Sequence, residues 1–283
     1  MAKKKLSVID LQEMKRKGEQ IVWVTAYDFI TAQLAEQSGM DMILVGDSLG
    51  MCIYGYDGTV PVTMDQCIYH CEAVRRAARN TFIIGDMPFG SYQISTEKAI
   101  ANAVRFYKEA NVDAVKLEGG ERVADVVRGI ADSGMLVMGH LGLTPQSSNA
   151  LGGFKAQGRT VETAMAVIED ARIIYEAGAF SILMEAVPPE VTMIIRDDLP
   201  IPIYSIGAGI HADGQLMIVS DLVGHFQAFT PKFVKRYGNV AEEITKSFER
   251  YIKDVKEGAF PGEEHAYHMK EGELSKLIDE MKK

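Results

Sequence analysis

The sequence predicts an α/β chain of the (β/α)8 TIM-barrel class, on three observations. Eight short apolar runs recur along its 283 residues, at 21–25, 42–45, 82–84, 114–117, 135–138, 180–184, 201–204 and 216–219. Most are continuously apolar rather than alternating, as suits parallel strands buried on both faces. Amphipathic segments with recognisable helix starts and stops separate them. The rival architecture, an open doubly wound sheet, lacks here the early Gly-x-Gly-x-x-Gly turn of a dinucleotide binder. Eight strand–helix alternations in about 250 residues fit a sheet closed on itself.

Taken in order, IVWVT (21–25) and MILV (42–45) are the first two strands. A long connection follows, GDSLGMCIYGYDGTVP (46–61). Met64, Cys67, Ile68, Cys71 and Val74 then form one helical stripe. Cys67 and Cys71, at i and i+4, read better as small buried hydrophobes than as a metal pair. After FII (82–84), Ser95 can cap a helix carrying Ile100, Val104 and Tyr107 on one face. Segment 121–131 brings Val123, Val126, Val127 and Ile130 together. The run at 135–138 leads into a second long connection, GHLGLTPQSSNALGGFKAQGR (139–159). Connections of this length in a compact domain are usually functional. In a barrel both would lie on the face where the strands end. Thr160 can cap a helix with Val161, Met165, Ile168 and Ile174 on its buried side, stopping near Gly178. Pro188 and Pro189 stand where a helix with Val191, Ile194 and Ile195 begins. The runs at 201–204 and 216–219 complete the eight. The chain reads as one barrel domain over 1–283, with 231–283 a charged helical tail that covers the barrel or meets another subunit.

Composition narrows the function. The chain is 47% apolar and 24% charged, with a formal charge of −9 and a pI near 5.3. An acidic chain without a basic stripe is a poor ligand for nucleic acid or an anionic membrane surface. The one basic cluster, Lys3, Lys4 and Lys5, sits at a terminus with no apolar signal region behind it. No stretch of 18 apolar residues offers a membrane span. Three cysteines, Cys52, Cys67 and Cys71, favour a reducing compartment, the cytoplasm, over a disulfide framework.

The runs end in a recurring way. Asp47 follows the second, Asp86 the third, Glu118 the fourth, His140 the fifth and Glu185 the sixth. A single acid after a strand is ordinarily a helix cap or a solvated loop residue, and Asp57, Asp65, Asp213 and Asp221 are read that way. In a barrel, however, all eight strand ends converge on one mouth. Close carboxylates repel unless a cation sits among them, and Mg2+ suits one to three carboxylates plus an oxygen-rich ligand. Lys116, two residues before Glu118, shares its side of the strand and could pair with a substrate carboxylate. Such a rim suits a 2-oxo acid whose enolate a metal stabilises. Glu185, preceded by small and apolar residues, is the candidate general base, with an ordinary helix cap as the competing reading.

Seven blocks then carry a resemblance: VTAYD (24–28), LVGDSLGM (44–51), PVTMDQ (61–66), VKLEGGE (115–121), GHLGLTPQS (139–147), GGFKAQGR (152–159) and PGEEHAYH (261–268). In this order, over most of the chain, they resemble the ketopantoate hydroxymethyltransferase family. The resemblance implies a (β/α)8 barrel, Mg2+, and one-carbon transfer from 5,10-methylenetetrahydrofolate to the enolate of 3-methyl-2-oxobutanoate. It implies a metal site of Asp47, Asp86 and Glu118. It implies substrate contacts from Asp47, Ser48, Asp86, Lys116 and His140, and Glu185 as proton acceptor. It also implies a homo-oligomer, a decamer. Two departures stand out. The family's Ile-Gly-Ile-Gly-Ala-Gly is here Tyr204-Ser205-Ile206-Gly207-Ala208-Gly209, and Val219-Ser220-Asp221 lacks the histidine often found before that aspartate. Two other readings remain. A lyase or mutase of the isocitrate lyase type would need a cysteine before the glycine and histidine, where Val137 and Met138 stand. A non-catalytic oxo-acid binder would not need Glu185.

Overall fold

A computed structural model describes residues 4–283. Lys3 of the basic cluster lies outside them. Among the described residues, eight parallel strands close into a barrel in chain order. They are β1 (Ile21–Thr25), β2 (Met42–Val45), β3 (Phe82–Asp86), β4 (Ala114–Glu118), β5 (Val137–Gly142), β6 (Ser181–Glu185), β7 (Ile203–Ile206) and β8 (Gly214–Met217). β8 returns to β1, pairing Trp23 with Leu216. No sheet edge is left open. The chain divides into two compact units, one ending at Tyr237 and one running from Gly238 to Lys283. The second holds helices Val240–Lys256 and Glu273–Met281, neither with a buried residue. Among the described residues, no helix is long and apolar enough to cross a membrane.

Several strands run further than their apolar letters. β3, β4 and β6 each include the acid that ends the run, and β5 begins two residues later than expected and carries His140 within it. The reason is the pleat. Alternate residues face the barrel interior, where Met42, Leu44, Phe82, Ile84, Ala114, Met138, Leu183, Tyr204 and Leu216 form one apolar cluster. The intervening residues, such as Ile43, Val45, Ile83, Val115 and Ile182, join the larger cluster beneath the outer helices. One step of two along the interior column leads from Ile84 to Asp86, from Met138 to His140 and from Leu183 to Glu185. Apolar fill thus gives way to ionic groups at the C-terminal rim.

The helices form where their caps place them. Ser95 accepts the Lys98 N–H at the head of Thr96–Ala110, and Thr160 accepts the Thr163 N–H at the head of Val161–Glu176. Their buried faces differ from the expectation. Thr96–Ala110 buries Ala99, Ala103, Phe106 and Ala110; Ile100 and Tyr107 pack partly buried against the same core, as expected, and Val104 is left 37% exposed. Small residues let this helix lie close to the sheet, while Phe106, with Cys71 beside it, fills the space over Gly85. Val161–Glu176 buries Ile168, Ala171 and Ile174, but Val161 and Met165 are 84% and 54% exposed. Ile194, expected inside, is also exposed, and Thr192 takes its place beside Val191 and Ile195. Cys67 and Cys71 are buried among Ile68 and Val74, as core, and burial pushes both thiols up.

Two aspartates read as caps or solvated loop residues are buried instead. Asp213 accepts from Lys15 Nζ at 2.9 Å, Arg196 Nε at 3.2 Å and the Ile203 N–H at 2.9 Å. It thereby ties the helix Val8–Lys17 and the helix Pro189–Asp198 to β7. Asp221 is buried beside the cavity described below. Asp57 and Asp65 are exposed, as expected.

The helix-face assignment has a direct check. Phe106→Ala is expected to cost about 3–5 kcal/mol by opening a cavity under the helix. Val104→Ala, on the half-exposed side, should stay within about 0.5 kcal/mol. Urea unfolding of the two variants measures both, and equal losses would restore the sequence-derived face.

Candidate active site

Strand register makes neighbours of residues far apart in sequence. Asp86 lies opposite Lys116 on adjacent strands, and Glu118 lies opposite His140. Asp47 comes from the turn after β2, and Glu185 from the end of β6. Asp47, Asp86, Lys116, Glu118 and His140 are all buried; Glu185 is partly accessible. All six, with Ser48, line one cavity of about 960 Å³. The structure therefore brings together every residue the sequence singled out. A close turn is needed where β2 meets the rim: a Cβ on Gly46 would stand 2.8 Å from Ser48 Oγ.

Lys116 sits among the acids. Its Nζ is 2.7 Å from Asp86 Oδ1, 3.9 Å from Glu118 Oε1 and 3.2 Å from His140 Nδ1. Burial works against the Lys116 charge, but Asp86, Glu118 and Asp47 outweigh it and hold the ammonium above its usual range. Burial pushes the carboxyl groups of Asp47, Asp86 and Glu118 up. The Glu118 charge adds to this at Asp47, while Lys116 opposes it at all three. An ammonium can only donate, so His140 Nδ1 accepts from Lys116 and the ring proton belongs on Nε2. Burial, then the Lys116 charge, lowers the His140 pKa and keeps the ring neutral. Its Nε2 lies 3.0 Å from Glu185 Oε2, close but not aligned as a full hydrogen bond.

Each of the three acids has one oxygen held by an N–H group. The Asp47 N–H donates to Asp86 Oδ2 at 3.0 Å. Gln146 donates from Nε2 to Asp47 Oδ2 at 2.9 Å and from its backbone to Glu118 Oε2 at 3.0 Å. That leaves Asp47 Oδ1, Asp86 Oδ1 and Glu118 Oε1 as the second oxygens. Asp86 Oδ1 is buried and receives no aligned hydrogen bond, despite the nearby ammonium. Among the described residues no three His, Cys, Asp or Glu side chains are spaced as a ready metal centre; the Lys116 ammonium stands between Asp86 and Glu118. The donor chemistry nonetheless fits a hard divalent ion. With all three ionised the acids would carry two negative charges beyond the single ammonium, which a divalent cation would balance, and one oxygen of each is already fixed by the protein.

The cavity has two characters. Its floor is the ionic cluster. Its walls carry Phe154, Phe226, Phe229 and Phe233, with Arg159 and Lys232 among them. Glu185 is followed by Ala186 at φ 48°, a left-handed backbone that costs a non-glycine residue about 1–2 kcal/mol. The Ala186 carbonyl accepts the Gln157 N–H at 3.0 Å, so the long connection after β5 is fastened beside the candidate base. Gly142 makes the approach possible, since a Cβ there would overlap the Glu185 carbonyl. Ser205, which departs from the family pattern, lies away from the cavity and accepts the Ala208 N–H at 3.0 Å.

Sequence reasoning missed three polar residues here. Gln146 and Tyr92 connect the acids, and Tyr27 hydrogen-bonds Ser48 at 2.8 Å between hydroxyls. Gln146 and Tyr27 stand inside quoted blocks, but neither periodicity nor charge marks them.

Comparison with known proteins identifies the family and the fold. A family model described as ketopantoate hydroxymethyltransferase matches residues 5–263. A 3-methyl-2-oxobutanoate hydroxymethyltransferase of Alkaliphilus metalliredigens is 62% identical over 284 aligned residues, covering all of both chains. One from Syntrophus aciditrophicus is 48% identical, covering 93% of this chain and 97% of the relative. Among solved structures, phosphonopyruvate hydrolase in complex with oxalate and Mg2+ superposes with a TM-score of 0.60 at 13% identity, covering 98% and 96% of the two chains. 2,3-Dimethylmalate lyase, of the PEP mutase/isocitrate lyase superfamily, gives 0.57 at 15%, covering 97% and 96%. At these identities the structures share the fold.

Removing the internal cation tests the electrostatics of the cluster. Lys116→Met leaves Asp86 and Glu118 buried without their partner and is expected to cost about 3–5 kcal/mol. Chemical unfolding in the presence of a chelator reads this loss. A change below about 1 kcal/mol would show that the acids do not depend on the ammonium.

Proposed function

The chain belongs to the ketopantoate hydroxymethyltransferase family, and on that premise we propose that it transfers a hydroxymethyl group to 3-methyl-2-oxobutanoate. The donor in this proposal is 5,10-methylenetetrahydrofolate and the product is 2-dehydropantoate, which opens pantothenate and coenzyme A synthesis. The observation that carries the reading is the single cavity in which Asp47, Asp86 and Glu118 meet Lys116, His140 and Glu185. Asp47, Asp86 and Glu118 would hold Mg2+, which when bound polarises the keto acid and stabilises its enolate.

The chain's own residues do the rest. Lys116 and the Ser48 hydroxyl face the carboxylate end of the keto acid, and Lys116 balances its charge. Glu185 takes the C3 proton. Neutral His140, with Nε2–H toward Glu185 Oε2, orients that carboxylate and donates to it as it approaches. Water takes the folate's methylene carbon off as formaldehyde, breaking both of its C–N bonds as tetrahydrofolate leaves; C3 adds to that carbonyl carbon, and the proton held by Glu185 passes to the new alkoxide to give the hydroxymethyl group. A five-carbon acid fills a small part of a cavity of about 960 Å³. The aromatic wall suits the planar pterin and aminobenzoyl rings, and Arg159 and Lys232 suit the glutamate carboxylates. The proposal includes a decamer in a reducing cytoplasm. Exposed Val161 and Met165 offer apolar contact to another copy, and Cys52, Cys67 and Cys71 are free thiols.

Two measurements check the reading. Exchange of the C3 proton of 3-methyl-2-oxobutanoate in D2O, followed by proton NMR with Mg2+, should fall about 10²–10⁴-fold in Glu185→Gln while metal and keto-acid binding persist. Unchanged exchange would remove Glu185 as base. Arg159→Ala and Lys232→Ala should each raise the folate KM about tenfold and leave the keto-acid KM alone. Equal effects on both substrates would place the folate elsewhere.

A further inference from the structure

We infer that Gln146 is the positioning residue that sets two of the three acids, Asp47 from the turn after β2 and Glu118 from β4, in register with each other. The role rests on the metal reading of the site above, and goes beyond it by naming what aligns the ligands. Gln146 lies in the long connection after β5, in a 3-10 turn over Pro145–Ser147. It is almost fully buried. It reaches both acids, through different groups. Its backbone N–H donates to Glu118 Oε2 and its amide to Asp47 Oδ2.

The amide can stand only one way round. Gln146 Nε2 also faces the Met87 carbonyl at 3.0 Å, which can only accept. Gln146 Oε1 faces the Tyr92 hydroxyl at 2.7 Å and Gln93 Nε2 at 3.3 Å. That hydroxyl accepts the Glu118 N–H at 3.1 Å and has two acceptors in reach, Gln146 Oε1 at 2.7 Å and the Glu118 carbonyl at 3.3 Å, of which Gln146 is the nearer. Both donors and both lone pairs of the side chain are therefore in use, and a flipped amide would set carbonyl oxygen against carbonyl and carboxylate oxygen. Tyr92, bonded to the backbone of Glu118 and the side chain of Gln146, joins the two acids a second time. Held at Oδ2 and Oε2, Asp47 and Glu118 present their other oxygens. Partners of this kind fix ligand orientation and typically govern metal affinity by about 10–100-fold.

The test titrates the full chain with Mn2+ in the absence of substrate, reading free Mn2+ by electron paramagnetic resonance. Gln146→Leu keeps the volume and the backbone donor but loses the amide, and is expected to weaken Mn2+ binding about 10–100-fold. In the Asp47→Ala background, where Asp86 and Glu118 retain the ion, the same substitution should cost no more than about twofold, since its target is gone. Unchanged affinity in Gln146→Leu would overturn the role. So would equal losses in both backgrounds, which a merely structural residue would give. Should Gln146→Leu melt far below the parent, Tyr92→Phe carries the test: releasing the amide should weaken Mn2+ about threefold to tenfold, and unchanged affinity overturns the role. A parent chain that binds no Mn2+ would overturn the metal reading itself and this role with it, whereas normal parent binding with unaffected variants overturns this role alone.

Discussion

Three carboxylates buried together under one ammonium are the constraint the rest of the structure answers. Burial raises the proton affinity of all three, and the neighbouring carboxylates raise it further at Asp47 and Asp86. Nothing in an apolar core would tolerate them singly. The parallel barrel makes the grouping possible, because adjacent strands in register deliver Asp86 beside Lys116 and Glu118 beside His140. The interior column below each acid is apolar and tightly filled, by Ile84, Ala114, Met138 and Leu183.

The division of labour follows the order of strands. β2, β3 and β4 supply the acids and the lysine, the neutral imidazole stands on β5, and β6 ends on Glu185. Lys116 and His140 link the two halves through Nδ1, and the tautomer this fixes turns an N–H toward the candidate base. Around the cluster lies a layer of N–H donors, from Asp47 and Gln146, that fixes one oxygen of each acid. The long connection after β5 contributes both Gln146 and the wall residue Phe154, and bonds back to Ala186. One loop thus bears on the three acids, the second compartment of the cavity and the backbone beside Glu185.

Much of this was legible in the letters. Continuous apolar runs revealed buried parallel strands, and runs ending on Asp47, Asp86, Glu118, His140 and Glu185 revealed the rim once closure was assumed. Where the reading failed, the deciding contact was distant in sequence. Asp213 resembles Asp57 locally, yet Lys15 and Arg196 bury it from 198 and 17 residues away. Val104 and Phe106 are both apolar letters on one helix, and only the space above Gly85 selects Phe106. Gln146 gives no sign of its role because its partners, Asp47, Met87, Tyr92 and Glu118, come from three earlier segments. Ser205, where the chain departs from the family pattern, does not line the cavity.

The most direct measurement is an anomalous difference map from crystals soaked with Mn2+ and 3-methyl-2-oxobutanoate. The expected result is one peak bounded by Asp47, Asp86 and Glu118, with the keto acid between it and Glu185. A peak elsewhere, or keto acid bound at Lys116 with no metal beside the three carboxylates, would contradict the account.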